Sequence, residues 1–291
     1  PDLAAFKTRN VVDNFRWVDA VRGVNKFLMS NTTDADTTDA TMLSSFNSNG
    51  FTFGTDTSDR INWSAKTYAA FAWKESVSAG FDIVTYTGTG VNRTIAHGLG
   101  VTPKMIIAKH TNAVDNWIVY HASLGGSPDY LWLNLTSAKG TSSAVWNTAP
   151  TSSVFGVGTD NLTNLSGGTY VAYLFAEVAG FSKFGSYTGN GAADGPFVYC
   201  GFRPRFIMWK RTDSTSDWSV IDTARSAYNV QNDELYANSS IAETAAGAPR
   251  LDSLSNGFKI RNAGGAAINA SGGTYIFAAF AENPFKNSLA R

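Results

Sequence analysis

Short apolar runs separated by clusters of Gly, Ser, Asn and Asp dominate the chain. The runs KMIIAK and RFIMWK are rich in β-branched or aromatic residues, and NWIVYHAS and DWSVIDTA follow them as further strands. The segment TYVAYLFAE is apolar at nearly every position, which predicts a central strand covered on both faces. Clusters such as TDNLTNLSGG supply the residues that tight turns need. The pattern predicts an all-β protein without a helical layer.

The chain repeats itself. GFDIVTYTGTG at Gly80 matches GFSKFGSYTGNG at Gly180, which aligns Tyr86 with Tyr187, 101 residues later. The same offset of 101 residues relates three further pairs: Pro103 and Pro204, Lys109 and Lys210, Trp117 and Trp218. The first residues of the chain fit the same template, with Pro1, Lys7 and Phe15 at the proline, lysine and tryptophan positions.

Later positions extend the alignment to three copies. Each copy closes on one pattern, SAKTYAAFAWKE, SGGTYVAYLFAE or SGGTYIFAAFAE. The aligned triplets are Asn31, Asn134 and Asn238; Phe51, Phe155 and Phe258; Asn62, Asn164 and Asn269; Tyr68, Tyr170 and Tyr275. Because the asparagines follow the repeat, we interpret their N-x-S/T triplets as turn-fixing side chains rather than glycosylation sites.

We therefore divide the chain into unit 1 (residues 1–79), unit 2 (residues 80–179) and unit 3 (residues 180–291). Each unit is expected to be a β-sandwich or jelly roll, and the units are expected to pack on one another because no long linkers separate them. Three blades around a shared axis are the alternative. Unit 1 lacks the Tyr-Thr-Gly opening, so we expect a parent chain that continues before Pro1, or a partner, to supply the missing strand.

Composition and charge narrow the function classes. The 23 basic and 23 acidic side chains cancel, which removes the electrostatic signature of a nucleic-acid-binding protein. The single cysteine, Cys200, excludes an internal disulfide framework and a cysteine-rich zinc site. No apolar run reaches the roughly 18–20 residues of a membrane span.

One lysine and one glutamate recur in every unit. A glycosidase needs two carboxylates in one site, whereas here one glutamate recurs at a fixed place per unit. We therefore predict structural Lys–Glu pairs, each within salt-bridge reach in its own unit: Lys7 with Glu75, Lys109 with Glu177, and Lys210 with Glu282. The D-x-x-R pairs Asp19–Arg22 and Asp222–Arg225 are interpreted as local ion pairs that hold a turn.

Motifs for catalysis, metals and cofactors are weak or absent. The three histidines lack metal-ligand spacing, and no nucleophile elbow or phosphate-binding glycine loop occurs. The Asp-rich stretch at Thr33 to Thr41 lacks the spacing of an EF-hand and is interpreted as a solvated loop. We therefore predict no catalytic residues, no metal site and no cofactor.

Three tryptophans are the candidate ligand-binding residues. Trp63, Trp132 and Trp146 lie in or beside Ser/Thr/Asn-rich stretches. A pyranose stacks its C–H face on an aromatic ring while its hydroxyls bond amides and carboxylates, so such surroundings favour a sugar-binding surface. Burial between units is the alternative for the same three side chains.

The repeat template resembles a known kind of protein. TIAHGLGVTPKMIIAK, FGSYTGNGAADGPFVYCGFRP and SGGTYIFAAFAENPFK are similar to a repeat found near the C-termini of phage tail fibre or tail-spike-like proteins. The resemblance covers essentially the whole chain. It implies a virion location, a β-rich architecture and homotrimeric assembly, and it carries no catalytic residue.

These observations lead to one expected function and two alternatives. The expected function is a receptor-binding module of a phage tail fibre that adheres, without catalysis, to host-surface polysaccharide, with avidity multiplying weak sites. The first alternative is a capsid-decoration or tail-assembly module that has no ligand. The second is a polysaccharide depolymerase, which needs paired carboxylates with divergent pKa values.

Overall fold

The computed structural model describes residues 1–245 and 248–284, and its regular structure is almost entirely antiparallel β-sheet. The predicted all-β class is confirmed. Residues 285–291, the last of the predicted third unit, lie outside the described residues. Unit 1 forms a main sheet in the order β4-β3-β2-β1-β7 and a small sheet in which β5 pairs with β6. Its strands are β1 (Leu3–Thr8), β2 (Arg16–Asp19), β3 (Lys26–Met29), β4 (Thr37–Thr38), β5 (Leu43–Asn47), β6 (Gly50–Phe53) and β7 (Tyr68–Trp73).

Unit 2 has a six-stranded main sheet in the order β13-β12-β11-β10-β15-β8, and a small sheet in which β14 pairs with β9. A 3-10 helix (Ala122–Leu124) and a single-turn α-helix, α1 (Asn161–Asn164), complete it. Its strands are β8 (Phe81–Thr87), β9 (Arg93–Ala96), β10 (Met105–His110), β11 (Ile118–His121), β12 (Asp129–Trp132), β13 (Gly140–Thr141), β14 (Val154–Val157) and β15 (Thr169–Phe175).

Unit 3 has a main sheet in the order β16-β24-β18-β19-β20-β21 and a small sheet in the order β17-β23-β22. Its strands are β16 (Ser182–Thr188), β17 (Phe197–Tyr199), β18 (Pro204–Arg211), β19 (Trp218–Asp222), β20 (Asp233–Tyr236), β21 (Thr244–Ala245), β22 (Leu251–Leu254), β23 (Gly257–Ile260) and β24 (Thr274–Ala281). The three main sheets share one order of strands, except that no described strand takes the place of β8 and β16 in unit 1.

Strand β15 shows why the closing segment of each unit is apolar at nearly every residue. Successive side chains of β15 point into two different cores. Val171 and Tyr173 point into a core shared by all three units, and Ala172 and Leu174 point into the core of unit 2 alone. Successive side chains of a strand point to opposite faces, so a strand buried on both faces carries no polar alternation. The prediction of a central strand covered on both faces is confirmed.

The three main sheets meet face to face around the shared core. Trp17 of unit 1 packs against Trp117 and Tyr173 of unit 2, with ring centroids 5.5 and 5.4 Å apart. Trp73 of unit 1 packs edge-on against Phe206 of unit 3, with centroids 5.9 Å apart. Each main sheet is covered on its outer face by the small sheet of its own unit, which encloses a separate core. The main and small sheets of each predicted unit therefore enclose a small core, and the main sheet also faces the shared core.

Candidate functional site

The recurring lysines are buried and do not pair with the recurring glutamates, so the predicted Lys–Glu pairs are wrong. Lys7, Lys109 and Lys210 are each 0% exposed. Strand register explains the error. Lys7 lies opposite Ala69 at the start of β7, whereas Glu75 follows Trp73, which lies opposite Leu3 at the other end of the sheet. Because antiparallel strands run in opposite directions, two positions that recur near the ends of paired strands can lie at opposite ends of the sheet.

The same geometry separates the other two pairs. Lys109 lies opposite Val171 and Lys210 opposite Ile276, near the start of the closing strand in each unit. Glu177 and Glu282 follow the ends of those strands. Glu177 instead bonds Lys183 at 2.8 Å, and Glu282 bonds Arg203 at 2.7 Å.

Glu75 is different because its neighbour is another acid. Burial, followed by a hydrogen bond with the Asp82 carboxyl, raises the pKa of Glu75 above its ordinary value. The two acids come from units 1 and 2 and lie at the junction between them. Among the described residues no lysine forms an ion pair with Glu75, whereas Glu177 of unit 2 pairs with Lys183.

Each buried lysine ties its own unit to a neighbouring one. Lys7 donates to the carbonyl of Ser240 in unit 3 at 2.9 Å. Lys109 donates to Thr33 of unit 1 at 3.2 Å, and Lys210 donates to Thr136 of unit 2 at 2.9 Å. Units 1, 2 and 3 are thus linked in a closed ring. Burial lowers the pKa of all three lysines to about 8, and the carbonyl oxygens take the place of water around each ammonium group.

The D-x-x-R pairs form the local ion pairs that the sequence predicts. Arg22 bonds Asp19 at 2.6 Å and Arg225 bonds Asp222 at 2.5 Å. In unit 2 the aspartate position holds His121. Its Nδ1 accepts from the Ser123 backbone N–H at 3.1 Å, so its Nε2 carries the proton and donates to Phe277 O of unit 3 at 3.2 Å.

The three candidate tryptophans do not form one site. Trp146 is 2% exposed and lies in the core of unit 2, so the prediction that it binds a ligand is wrong. Trp132 is half-buried and packs edge-on against Tyr130, with centroids 4.8 Å apart. Trp63 is 46% exposed, but the Lys66 ammonium lies 3.3 Å from its ring centroid and covers one face. Burial occurs inside a unit for Trp146, where its ring fills the small sandwich.

A polar groove of about 390 Å³ lies between units 1 and 2 and is the candidate ligand site. One wall comes from the loop after β2, the start of β3 and the Asp-rich stretch of unit 1, and the other from strands β8 and β15 and from Thr111, directly after β10, of unit 2. Its accessible chemistry is a set of hydroxyls, one ion pair and one apolar side chain. The lining residues used below are Val21, Lys26, Asp36, Thr85, Thr87 and Thr169.

Arg22 fixes the shape of the groove. Its side chain is 5% exposed and donates to Asp19, to Asp36 at 3.0 Å and to the hydroxyl of Tyr173 at 3.2 Å. The Asp36 backbone N–H donates to Thr111 O of unit 2 at 2.7 Å, which joins the two walls. Lys26, with 47% of its side chain exposed, lies 3.5 Å from Asp36 and keeps an ammonium group available to a ligand.

Sequence reasoning missed these residues for a physical reason. Val21 and Lys26 lie in unit 1, and Thr85 and Thr87 lie in unit 2, so only the packing of two units brings them together. Asp36 belongs to the Asp-rich stretch, which the sequence marked as a solvated loop. The one available signal was Thr87 in the recurring Tyr-Thr-Gly motif.

The described part of the chain contains neither a cluster of metal-ligating side chains nor a membrane-spanning helix. Within residues 1–245 and 248–284, no group of three or more His, Cys, Asp or Glu side chains is arranged to hold a metal ion. Among the same residues, no helix has the length and apolar character needed to cross a bilayer.

The fold defines an all-β protein in which three main sheets share one core and a polar groove lies at the junction of units 1 and 2. The family model of a domain of unknown function, DUF7483, matches residues 1–284. The chain belongs to this family. No curated protein and no solved structure matches the chain.

Proposed function

We propose that this protein is a non-catalytic adhesion module of a phage tail fibre and that it binds a host-surface glycan in the groove between units 1 and 2. The observation that carries the proposal is the lining of that groove, where exposed Thr85, Thr87 and Thr169 hydroxyls face the Lys26–Asp36 pair. Sugar hydroxyls are recognised by such mixed donors and acceptors. The tail fibre assignment rests on the sequence resemblance.

The groove offers an apolar contact as well as polar ones. Val21 is 45% exposed at its rim and provides a surface for the C–H face of a sugar ring. Arg22 and Asp19 are already paired with each other, so they hold the wall and leave Lys26 as the charged group that meets the ligand. A site of this kind binds weakly alone, and a homotrimer in the virion multiplies its effect through avidity.

A binding experiment with groove variants tests the proposal. The probe is an array of surface polysaccharides from Gram-negative bacteria, followed by calorimetric titration of the best ligand. We expect the double variant Lys26→Ala/Thr87→Val to lose affinity by about tenfold or more, because it removes an ammonium and a hydroxyl donor. Lys74→Ala/Thr102→Val is the matched control, since both side chains are exposed outside the groove.

Two results would contradict the proposal. The first is the absence of binding to every polysaccharide on the array. The second is a titration in which the groove variant and the control variant bind equally well. The appearance of new reducing ends on incubation with a bound polysaccharide would instead support the depolymerase alternative.

A tail-assembly module without a ligand is the second candidate function. The observation that favours it is a pair of strand edges in unit 1 to which no described strand pairs, since such edges are templates for pairing with another chain. Burial of Trp146 also removes one of the three side chains on which sugar binding was first predicted. Under this candidate the array shows no binding, while the edges remain competent to pair.

A further inference from the structure

Among the described residues, unit 1 leaves open two strand edges whose counterparts are paired in units 2 and 3. In unit 2 the outer edge of β15 pairs with β8, and in unit 3 the outer edge of β24 pairs with β16. Among the strands that the structure describes, their counterpart β7 is the last of its sheet. Likewise β14 pairs with β9 and β23 with β17, whereas β6 pairs only with β5 among the described strands. In each complete unit, one continuous segment covers both edges, residues 81–96 in unit 2 and 182–199 in unit 3.

The backbone of β7 is ready to accept a strand. Arg9 N–H donates to Thr67 O and Asp2 N–H to Trp73 O, so the odd-numbered residues of β7 direct their polar groups toward β1. Backbone groups alternate in direction along an antiparallel strand. The N–H and C=O groups of Tyr68, Ala70 and Ala72 therefore point outward. A groove of about 280 Å³ runs beside this strand and is lined by Ala70 and Ala72.

The first contact that the additional strand makes in units 2 and 3 is a stacked pair of tyrosine rings. Tyr86 of β8 stacks on Tyr170 with centroids 5.0 Å apart, and Tyr187 of β16 stacks on Tyr275 with centroids 4.8 Å apart. Tyr170 and Tyr275 are 1% and 0% exposed. Tyr68 holds their place in unit 1 and is only half-buried.

The second contact is made in the small sheet, where the additional strand covers a phenylalanine side chain. Phe155 lies opposite Ile95 of β9, and Phe258 lies opposite Val198 of β17; both rings are buried. Phe51 holds the same place on β6 and is only half-buried, and Phe53 beside it is 40% exposed.

The third contact is made by an asparagine side chain with the turn between the two additional strands. The buried Asn164 accepts from Thr89 N–H at 2.9 Å and donates to Val91 O, so it grips the turn that joins β8 to β9. Asn269 grips the corresponding turn of unit 3, accepting from Asn190 N–H at 2.9 Å. Asn62 holds this place in unit 1 and is exposed.

Glycine belongs to the same pattern. A Cβ at Gly88 would collide with the carbonyl oxygen of Leu165, and a Cβ at Gly189 with that of Ala270. The segment that covers both edges therefore carries glycine directly after Tyr-Thr.

We propose that the two open edges of unit 1 bind an extended polypeptide segment from outside residues 1–291, antiparallel to β7 and about sixteen residues long. Its chemistry is that of β8–β9 and β16–β17: alternating apolar residues, then Tyr-Thr-Gly, then an aliphatic residue over Phe51. A second copy joined edge to edge through β7 would add Tyr68, Ala70 and Ala72 at this position. It would leave Phe51 and Asn62 uncovered, so it is the poorer occupant.

A peptide of residues 80–97 of this chain is the probe, labelled with a fluorophore and titrated into the intact protein. We expect saturable binding at one peptide per chain, and weaker binding of a scrambled peptide and of the Tyr86→Ala peptide. In the protein, Ala70→Pro removes one outward N–H and is expected to reduce affinity by about tenfold or more. Ala70→Ser keeps the N–H and is the matched control.

Three outcomes overturn the proposal. The first is equal binding of the scrambled and native peptides. The second is equal binding of the peptide by the Ala70→Pro and Ala70→Ser proteins when both melt at the wild-type temperature. The third is a protein dimer, seen in light scattering, that excess peptide does not dissociate. If the Ala70→Pro protein fails to fold, the comparison of the native and Tyr86→Ala peptides on the wild-type protein still tests the proposal. The result is independent of whether the groove binds glycan.

Discussion

A single buried imidazole joins units 2 and 3. His121 is 1% exposed, and both of its ring nitrogens have backbone partners, Ser123 N–H and Phe277 O. Burial lowers the pKa of His121 to about 4, so the ring is neutral at pH 7. Its place in the repeat is held by Asp19 and Asp222 in the other units, where an arginine neutralises the charge. The same position of the repeat therefore avoids an unpaired buried charge in two ways, by an ion pair in units 1 and 3 and by a neutral ring in unit 2.

The histidine gives the protein a predictable acid sensitivity. The folded-state pKa of about 4 lies below the ordinary value of 6.5, so the unfolded chain binds more protons between these pH values. Stability from this residue is complete above pH 6.5 and falls as the pH drops toward 4, by roughly 3 kcal/mol in total. Urea unfolding from pH 7 to pH 4.5 measures this loss. The His121→Gln variant should show a shallower dependence, and an equal slope in both proteins would contradict the assignment.

At the scale of the element, the closing loops show what the repeat controls and what it does not. Asn164 and Asn269 are 0% exposed, and both hold turns, as the sequence predicts. Asn62 carries the same motif but is exposed, because no described strand pair covers it. The motif alone therefore does not determine burial, and the neighbouring strand does.

This difference allows a matched mutational comparison. Asn164→Ala leaves the buried carbonyl of Gly158, the carbonyl of Val91 and the N–H of Thr89 without the Asn164 side chain, and we expect a cost of about 2–4 kcal/mol. Asn62→Ala should cost no more than about 0.5 kcal/mol. Chemical denaturation of both variants measures the difference. Equal costs would mean that the two loops are packed alike.

The sequence predicted strands, turns and the doubly buried closing strand, because these depend on local pattern. It did not predict which recurring side chains meet. Lys109 and Glu177 recur faithfully, yet antiparallel pairing puts Lys109 opposite Val171 and leaves Glu177 beyond the far end of the strand. The groove beside Lys26 was equally invisible, since its two walls come from different units. Register and packing between units are long-range properties that spacing along the chain does not encode.

On the scale of the whole molecule, the three units enclose one interior. Trp117 of unit 2 donates its indole N–H to Met29 O of unit 1 at 3.0 Å, and Trp218 of unit 3 donates to Trp132 O of unit 2 at 2.8 Å. The lysine contacts complete the ring between units 3 and 1. The polar groove depends on this arrangement because units 1 and 2 form its walls, and so does the groove beside β7, which is lined by residues of units 1 and 3.

Differential scanning calorimetry tests this shared interior most directly. If the units share one core, they unfold together, in one transition whose calorimetric and van't Hoff enthalpies agree, with a total of roughly 200 kcal/mol near 60 °C. Two or three resolved transitions, each carrying a part of that enthalpy, would show that the units fold independently and would contradict the account.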